Sequence, residues 1–128
     1  MSVAIVSDGR QLLGRWGEKV AAHFLEAKGY VIVERNWRTG RGELDLVAQD
    51  GPLLVFVEVK TRRGQQYGTP EESITPRKQE KLLELVQLYL TDHALTDVEW
   101  RVDVVAIELD KQGKLIRCEH IPEALLGW

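Results

Sequence analysis

Several familiar devices are missing from this chain, and each absence closes off a class of function. Among its 128 residues there is one cysteine, Cys118, so no internal disulfide can form. The three histidines, His23, His93 and His120, lie far apart with no ligand spacing, which argues against zinc; all three are expected at the surface. No apolar run approaches the roughly 18 residues of a transmembrane helix, so no membrane span is expected. The segment Met1 to Arg10 holds only Val3 to Val6 as an apolar stretch, with no basic residue before it, and does not read as a secretory signal. A cytoplasmic location is therefore expected. Excess positive charge is missing too: the formal net charge is −3, so any nucleic-acid binding has to come from local basic patches.

What is present fits one domain spanning residues 1–128, with residues 1–10 the flexible part. Hydrophobic residues make up 44% and charged residues 29%, which points to a globular chain rather than a disordered one. Asp8 with Gln11 resembles a capping box, and a first helix is predicted from there to Lys28, ending before Gly29. A short strand follows over Tyr30 to Asn36, then a loop from Asn36 to Gly42. Glu43 to Gln49 and Leu53 to Thr61 are predicted as two strands of a hairpin around Asp50-Gly51-Pro52. Arg62 to Ser73 has no periodic apolar pattern and reads as a mobile loop. Thr75 and Pro76 open a second helix with Leu82, Leu83, Val86, Tyr89 and Leu90 at helical spacing, ending near Thr91. Strands over Val98 to Leu109 and Leu115 to Ile121, joined by a turn at Asp110 to Gly113, complete an α/β order of α, β, β, β, α, β, β, before a short apolar tail.

Chemistry concentrates around one strand. Leu53 to Lys60 is apolar on both faces, the mark of a central strand, yet it ends with Glu58 and Lys60 on one face. A buried, unpaired charge costs several kcal/mol, so these groups need a partner, a metal or an anion. Strict alternation in Gly42-Glu43-Leu44-Asp45-Leu46 turns Leu44 and Leu46 to one side and Glu43, Asp45 and Val47 to the other. A two-residue turn at Asp50-Gly51 sets Asp45 opposite Phe56 and a four-residue turn sets it opposite Glu58; either register puts Asp45 and Glu58 on one face. Converging carboxylates repel, and a hard divalent cation with oxygen ligands relieves that repulsion.

Glu18 is a third candidate acid, because its helical neighbours are packing residues while the polar stripe lies at Arg15, Lys19, His23 and Glu26. Arg77, Lys78 and Lys81 put three cations at a helix start, where the dipole favours anions, and a bound phosphate would relieve this. Arg35, Arg38 and Arg41 around Trp37, and Lys60, Arg62 and Arg63, form two more basic clusters able to follow a phosphate backbone. Plainer readings stand beside these: an ion cluster closing the sheet edge for Asp45, Glu58 and Lys60, an arginine partner for Glu18, and a solvated helix start for Arg77, Lys78 and Lys81. Arg101 and Asp103, two apart on a strand, read as a structural pair.

The motifs Gly17-Glu18, Arg35-Asn36-Trp37-Arg38, Gly-Glu-Leu-Asp-Leu from Gly42, Val-Phe-Val-Glu-Val-Lys-Thr-Arg from Val55, Lys78 and Arg101-Val102-Asp103-Val104-Val105 together resemble the YraN family of small bacterial endonuclease-like proteins. More broadly the chain is similar to archaeal Holliday junction resolvases within the PD-(D/E)XK nuclease superfamily. The resemblance implies a restriction-endonuclease-like αβββαβ core, a central mixed sheet flanked by helices. It also implies that Asp45, Glu58 and the Val59 carbonyl hold Mg²⁺ or Mn²⁺, that Lys60 orients the attacking water, that Glu18 supports the metal, and that Lys78 approaches substrate. Leu44 and Val102 depart from the family, where isoleucine and phenylalanine are frequent. The activity expected is metal-dependent hydrolysis of DNA, of recombination or repair intermediates in particular, by a chain able to form a homodimer. The alternatives are a non-catalytic nucleic-acid-binding or protein-interaction module on the same fold, and a glycosidase using the two acids as acid and base.

Overall fold

A computed structural model describes residues 9–64 and 68–124. The expected cap at Asp8, the flexible start, part of the loop after Arg63 and the end of the apolar tail lie outside those residues. Helix α1 spans Gly9–Ala27. It stops where Gly29 takes φ +97°: the Gly29 N–H reaches the Glu26 carbonyl and the Tyr30 N–H the Leu25 carbonyl, a Schellman closure that glycine enters without strain. Helix α2 spans Pro76–Asp92, opened by Thr75, whose side chain accepts from the Lys78 N–H, with Pro76 at the first position. It buries Leu82, Leu85, Val86, Tyr89 and Leu90; Leu83, expected inside, is 38% exposed, and Leu85 takes the place in the stripe.

Five strands, β1 (Val31–Thr39), β2 (Gly42–Asp50), β3 (Leu53–Arg63), β4 (Trp100–Leu109) and β5 (Leu115–Ile121), lie side by side in chain order. All neighbours are antiparallel except β3 and β4, which run parallel because α2 carries the chain back between them. The result is an α/β fold: a mixed sheet flanked by two helices, consistent with a restriction-endonuclease-like core. On the α1 face, Ala21, Ala22 and Leu25 pack on Leu46, Ala48, Val55, Val57, Val59, Val105 and Ile107. On the other, the α2 stripe packs on Leu44, Val47, Leu54, Phe56 and Val102. β3 thus feeds alternate residues into both layers, as its two-sided apolar pattern requires.

Three expectations need correction. First, β1 does not end at Asn36 but runs to Thr39, because Trp37 packs edge-on against Tyr89 of α2 at 5.2 Å and pairs with Leu44; packing overrides the turn-forming residues. Second, β3 continues to Arg63, and Pro70–Ser73 form a 3₁₀ turn braced by the Thr69 hydroxyl and N–H bonding the Glu72 carboxylate; the buried Ile74 then anchors this segment against Val104 and Ala124. Third, His120 is not at the surface. Its side chain is 3% exposed, with Nε2 2.6 Å from the carboxylate of fully buried Asp103 and Nδ1 2.9 Å from Lys28 Nζ. Since the ammonium can only donate, Nδ1 accepts, and the remaining ring proton sits on Nε2 and points at Asp103. Arg101 holds Asp103 from the other side, Nε to Oδ1 at 2.9 Å, the pairing that their spacing suggests.

Candidate metal centre

The hairpin tip decides what meets Asp45. Asp50 pairs with Leu53, leaving Gly51 and Pro52 as the turn, with Gly51 at φ +59°. The register then runs Gln49↔Leu54 to Leu46↔Val57, and Asp45 and Glu58 occupy the next step along. This is the register of the longer of the two turns weighed from sequence, not the one that faces Phe56.

At that step the strands stop alternating. Leu46 and Ala48 belong to the α1-face core, but Leu44 sits with Val47 in the α2-face core, so Leu44 and Leu46 do not share a side as strict alternation predicts. The β1–β2 register is the same at Arg35↔Leu46 and Trp37↔Leu44, its one shift lying earlier, between Ile32 and Glu34, but Asn36 and Asp45 form no pair between them, and Asn36 is left-handed at φ +51°. Asparagine tolerates that conformation better than most residues. The kink frees two side chains. Asp45 Oδ2 turns to accept the Val59 N–H at 2.8 Å, and Asn36 Nδ2 donates to Glu18 Oε1 at 2.8 Å, fixing the helix carboxylate.

Glu18 from α1, with Glu43 and Asp45 from β2, consequently bring carboxylate oxygens within 4.8 Å of one another, all three side chains half-buried. These three can hold a metal ion: the donors are all hard oxygens and sum to an anionic charge that a divalent cation would offset. Glu43 was given no role from sequence, although it lies two residues before Asp45 in the same motif. Burial, then the Glu58 charge, push the Asp45 carboxyl well above the usual aspartate range; the Val59 N–H opposes this, Glu18 adds to it and Lys60 opposes it. Glu58 itself is bridged by Lys60, Nζ to Oε2 at 3.0 Å.

The other basic candidates divide. Lys78 lines a cleft of about 240 Å³ with Arg41, Glu43, Glu58, Lys60 and Lys81, and its Nζ donates to the Ser73 carbonyl at 3.1 Å. Arg77 lies one step along, in a neighbouring hollow over the start of α2. Arg38 is bound to Glu43 at 2.8 Å and Arg41 to Glu84, so both are engaged by acids. Arg63 is tied to the Lys111 carbonyl in the β4–β5 turn, at 3.1 Å from Nε and 2.9 Å from Nη2. Arg62 follows Lys60 on the far end of β3, in register with Glu108.

Comparison with known proteins agrees on one family. Residues 17–107 match the model of a family described as "Uncharacterised protein family UPF0102". A UPF0102 protein of Pelotomaculum thermopropionicum is 47% identical over 93% of this chain and 99% of its own length; one of Symbiobacterium thermophilum is 51% identical over 88% and 94%. Among solved structures, SfsA of Pyrococcus furiosus, determined in complex with Ca²⁺, is similar at 18% identity with a TM-score of 0.43, over 88% of this chain and 64% of that one. No helix among the described residues is long and apolar enough to cross a membrane.

Proposed function

The chain belongs to the uncharacterised family UPF0102, and from that premise we propose that it is a metal-dependent nuclease that hydrolyses phosphodiesters in DNA. The observation that carries this reading is the convergence of Glu18, Glu43 and Asp45, from a helix and a strand, beside the Glu58–Lys60 pair. Acids alone would serve many purposes. An ammonium held at their edge, in a cleft that also receives Lys78 and Lys81, favours an anionic substrate over a sugar.

Asp45 and Glu58, with the Val59 carbonyl, would hold Mg²⁺ or Mn²⁺, and Glu18 and Glu43 would complete its surroundings. Such a cation supplies Lewis-acid polarisation of a phosphoryl oxygen and lowers the pKa of water. The chain's own groups do the rest. Lys60 orients the attacking water and offsets charge growing on the phosphate; Asn36 keeps the Glu18 carboxylate aimed inward; Lys78 fixes the substrate from the start of α2. Branched or flapped recombination and repair intermediates are the substrate class we favour, and a homodimer would suit a two-fold substrate. The test is a panel of branched, flapped and single-stranded DNAs incubated with Mg²⁺ or Mn²⁺. We expect cleavage of at least one by the parent and none by Asp45→Ala or Glu58→Ala. Intact substrates throughout, or cleavage by those variants at the parental rate, would reject the reading.

A further inference from the structure

Several of the cations assigned to DNA from sequence are committed to other partners, whereas Arg35 among them, and Arg15 and Lys19 of α1 beside it, are not. Arg15, Lys19 and Arg35 line a cavity of about 130 Å³ with Glu18, Asn36 and Leu46. None of the three has a hydrogen bond or ion pair to another described residue. A second cavity, of about 240 Å³, shares Arg15, Glu18 and Asn36 with the first and extends to Arg38 and Glu43, so the two join along one wall that ends at the acid cluster. Within this groove the first cavity presents three cations against one carboxylate, and Glu18 is already engaged by Asn36. Arg15 and Lys19 are four apart on α1, where like charges repel across one helical turn, a small cost that the Glu18 carboxylate in the same cavity offsets in part and a bound anion would offset further. Arg35 projects toward them from β1, one residue before the kink at Asn36 that shapes the metal centre. At about 130 Å³ the cavity admits a tetrahedral anion with a few waters, each taking about 30 Å³.

We propose that Arg15, Lys19 and Arg35 form a phosphodiester subsite on the α1 side of the acid cluster, receiving the phosphate that neighbours the one to be cut. This rests on the nuclease reading and adds a direction to it: the strand enters along α1 and β1, crosses Glu18 and Asp45, and leaves over Lys60 and Lys78 on the α2 side. The two phosphate contacts then lie on opposite faces of the sheet, reached around the point where the pairing of β2 with β3 ends, beyond Leu46 and Val57.

The experiment measures binding of a fluorescein-labelled single-stranded oligonucleotide by anisotropy, in EDTA, as a function of salt. The parent is compared with Arg15→Ala/Lys19→Ala/Arg35→Ala and with Arg15→Lys/Arg35→Lys, which keeps all three charges. We expect the triple alanine variant to bind ~10–100-fold more weakly and its salt slope to fall by about one, while the lysine variant recovers most of both. Melting temperatures within a few degrees of the parent check that each variant is folded. Unchanged affinity and slope, no binding by the parent at low salt, or competition by millimolar inorganic phosphate in a parent whose DNA affinity ignores the substitutions would each overturn the subsite. Cleavage separates the two ideas. If the parent cuts DNA and the triple variant keeps its KM, the subsite fails and the nuclease stands. If the parent neither cuts nor takes up Mn²⁺ while the triple variant loses affinity, the phosphate contact stands and the nuclease fails.

Discussion

Replacing Asp45 with asparagine should make the metal-free protein more stable and deprive it of its response to metal. The Val59 N–H bond survives, because the asparagine carbonyl accepts as the carboxylate did. What disappears is one negative charge among Glu18, Glu43 and Glu58. At an effective dielectric of about 20, two unit charges ~5 Å apart repel by roughly 3 kcal/mol. Asp45 already escapes part of that by holding its proton, and Lys60 offsets more, so a net gain of about 1–2 kcal/mol is expected, or roughly 3–8 °C in Tm. The sign with pH follows from the raised pKa. The folded chain binds more protons than the unfolded one, so the parent loses stability relative to the variant as pH climbs from about 4, the ordinary aspartate value, through the raised folded value. The variant's advantage should therefore be smallest near pH 4 and grow as pH rises through the raised folded value. Added Mg²⁺ reverses the ranking: at a hundred times its Kd a ligand stabilises by about 2.7 kcal/mol, which the parent gains and the variant does not. Scanning calorimetry in EDTA and in Mg²⁺, across pH 4–8, reads all of this. A variant less stable than the parent in EDTA, or one that gains as much from Mg²⁺, would refute the argument.

Gly17→Ala would place a methyl 1.9 Å from the Thr61 Oγ1 and should cost about 2–3 kcal/mol in urea melts, with most recovered in the Gly17→Ala/Thr61→Ala double variant. Ala94 closes α2 at φ +53°, with its N–H on the Thr91 carbonyl and the Leu95 N–H on the Leu90 carbonyl, so Ala94→Gly should raise stability by about 0.5–1 kcal/mol by the same assay; a loss would mean that the strain is not real. Asp103→Ala strips the acceptor from Arg101 and His120 in a fully buried position and should cost about 3–5 kcal/mol or prevent folding, whereas a loss under 1 kcal/mol would show that the pair contributes little. The hydrogen bonds from His120 and Arg101, working against burial, leave the Asp103 carboxyl below the usual range. Its contribution is therefore complete above pH ~4 and lost as pH falls through its lowered value, visible as an acid-unfolding transition that moves when His120 is replaced by glutamine.

Much of this was written in the sequence because it depends on pattern. The two-sided apolar run of β3 gives a central strand and the Thr75-Pro76 start gives α2, whereas β4, expected to alternate, is buried without a break from Val102 to Leu109 because it lies between β3 and β5 with Asp103 and Glu108 paired inside. Less legible were features set by packing between elements remote in sequence. Nothing local to Asn36-Trp37-Arg38 says strand; Tyr89, some fifty residues later, does, by giving Trp37 a surface to close on. His120 looked like a surface residue because the carboxylate and ammonium that bury it come from β4 and the end of α1. The exposure of Leu83 and burial of Leu85 reflect the phase of α2 against the sheet, which a short apolar list leaves ambiguous by one residue.

The centre itself shows why a correct motif can carry an incomplete site. Alternation along β2 placed Glu43 and Asp45 together, and the structure brings them together too, but by a different route: Asn36 is left-handed, no pair forms between Asn36 and Asp45 although the register is the same on either side, and the faces exchange between Leu44 and Leu46. Without that exchange, Asp45 would continue the α2-side row begun by Val47, on the opposite side of the sheet from α1 and Glu18. With it, the Asp45 carboxylate meets both the helix acid of one layer and the Glu58–Lys60 pair that faces the other. The kink therefore does for this site what no single strand face can do, since it lets the two layers share one carboxylate. It follows that Asn36 is the residue through which the fold controls the chemistry. Asn36→Gly preserves the left-handed backbone while releasing Glu18, and Asn36→Val opposes that backbone outright. If the kink matters as argued, the glycine variant should keep the fold and lose only part of its metal affinity, whereas valine should impair both; equal metal binding by the two, followed by titration calorimetry with Mn²⁺, would contradict it.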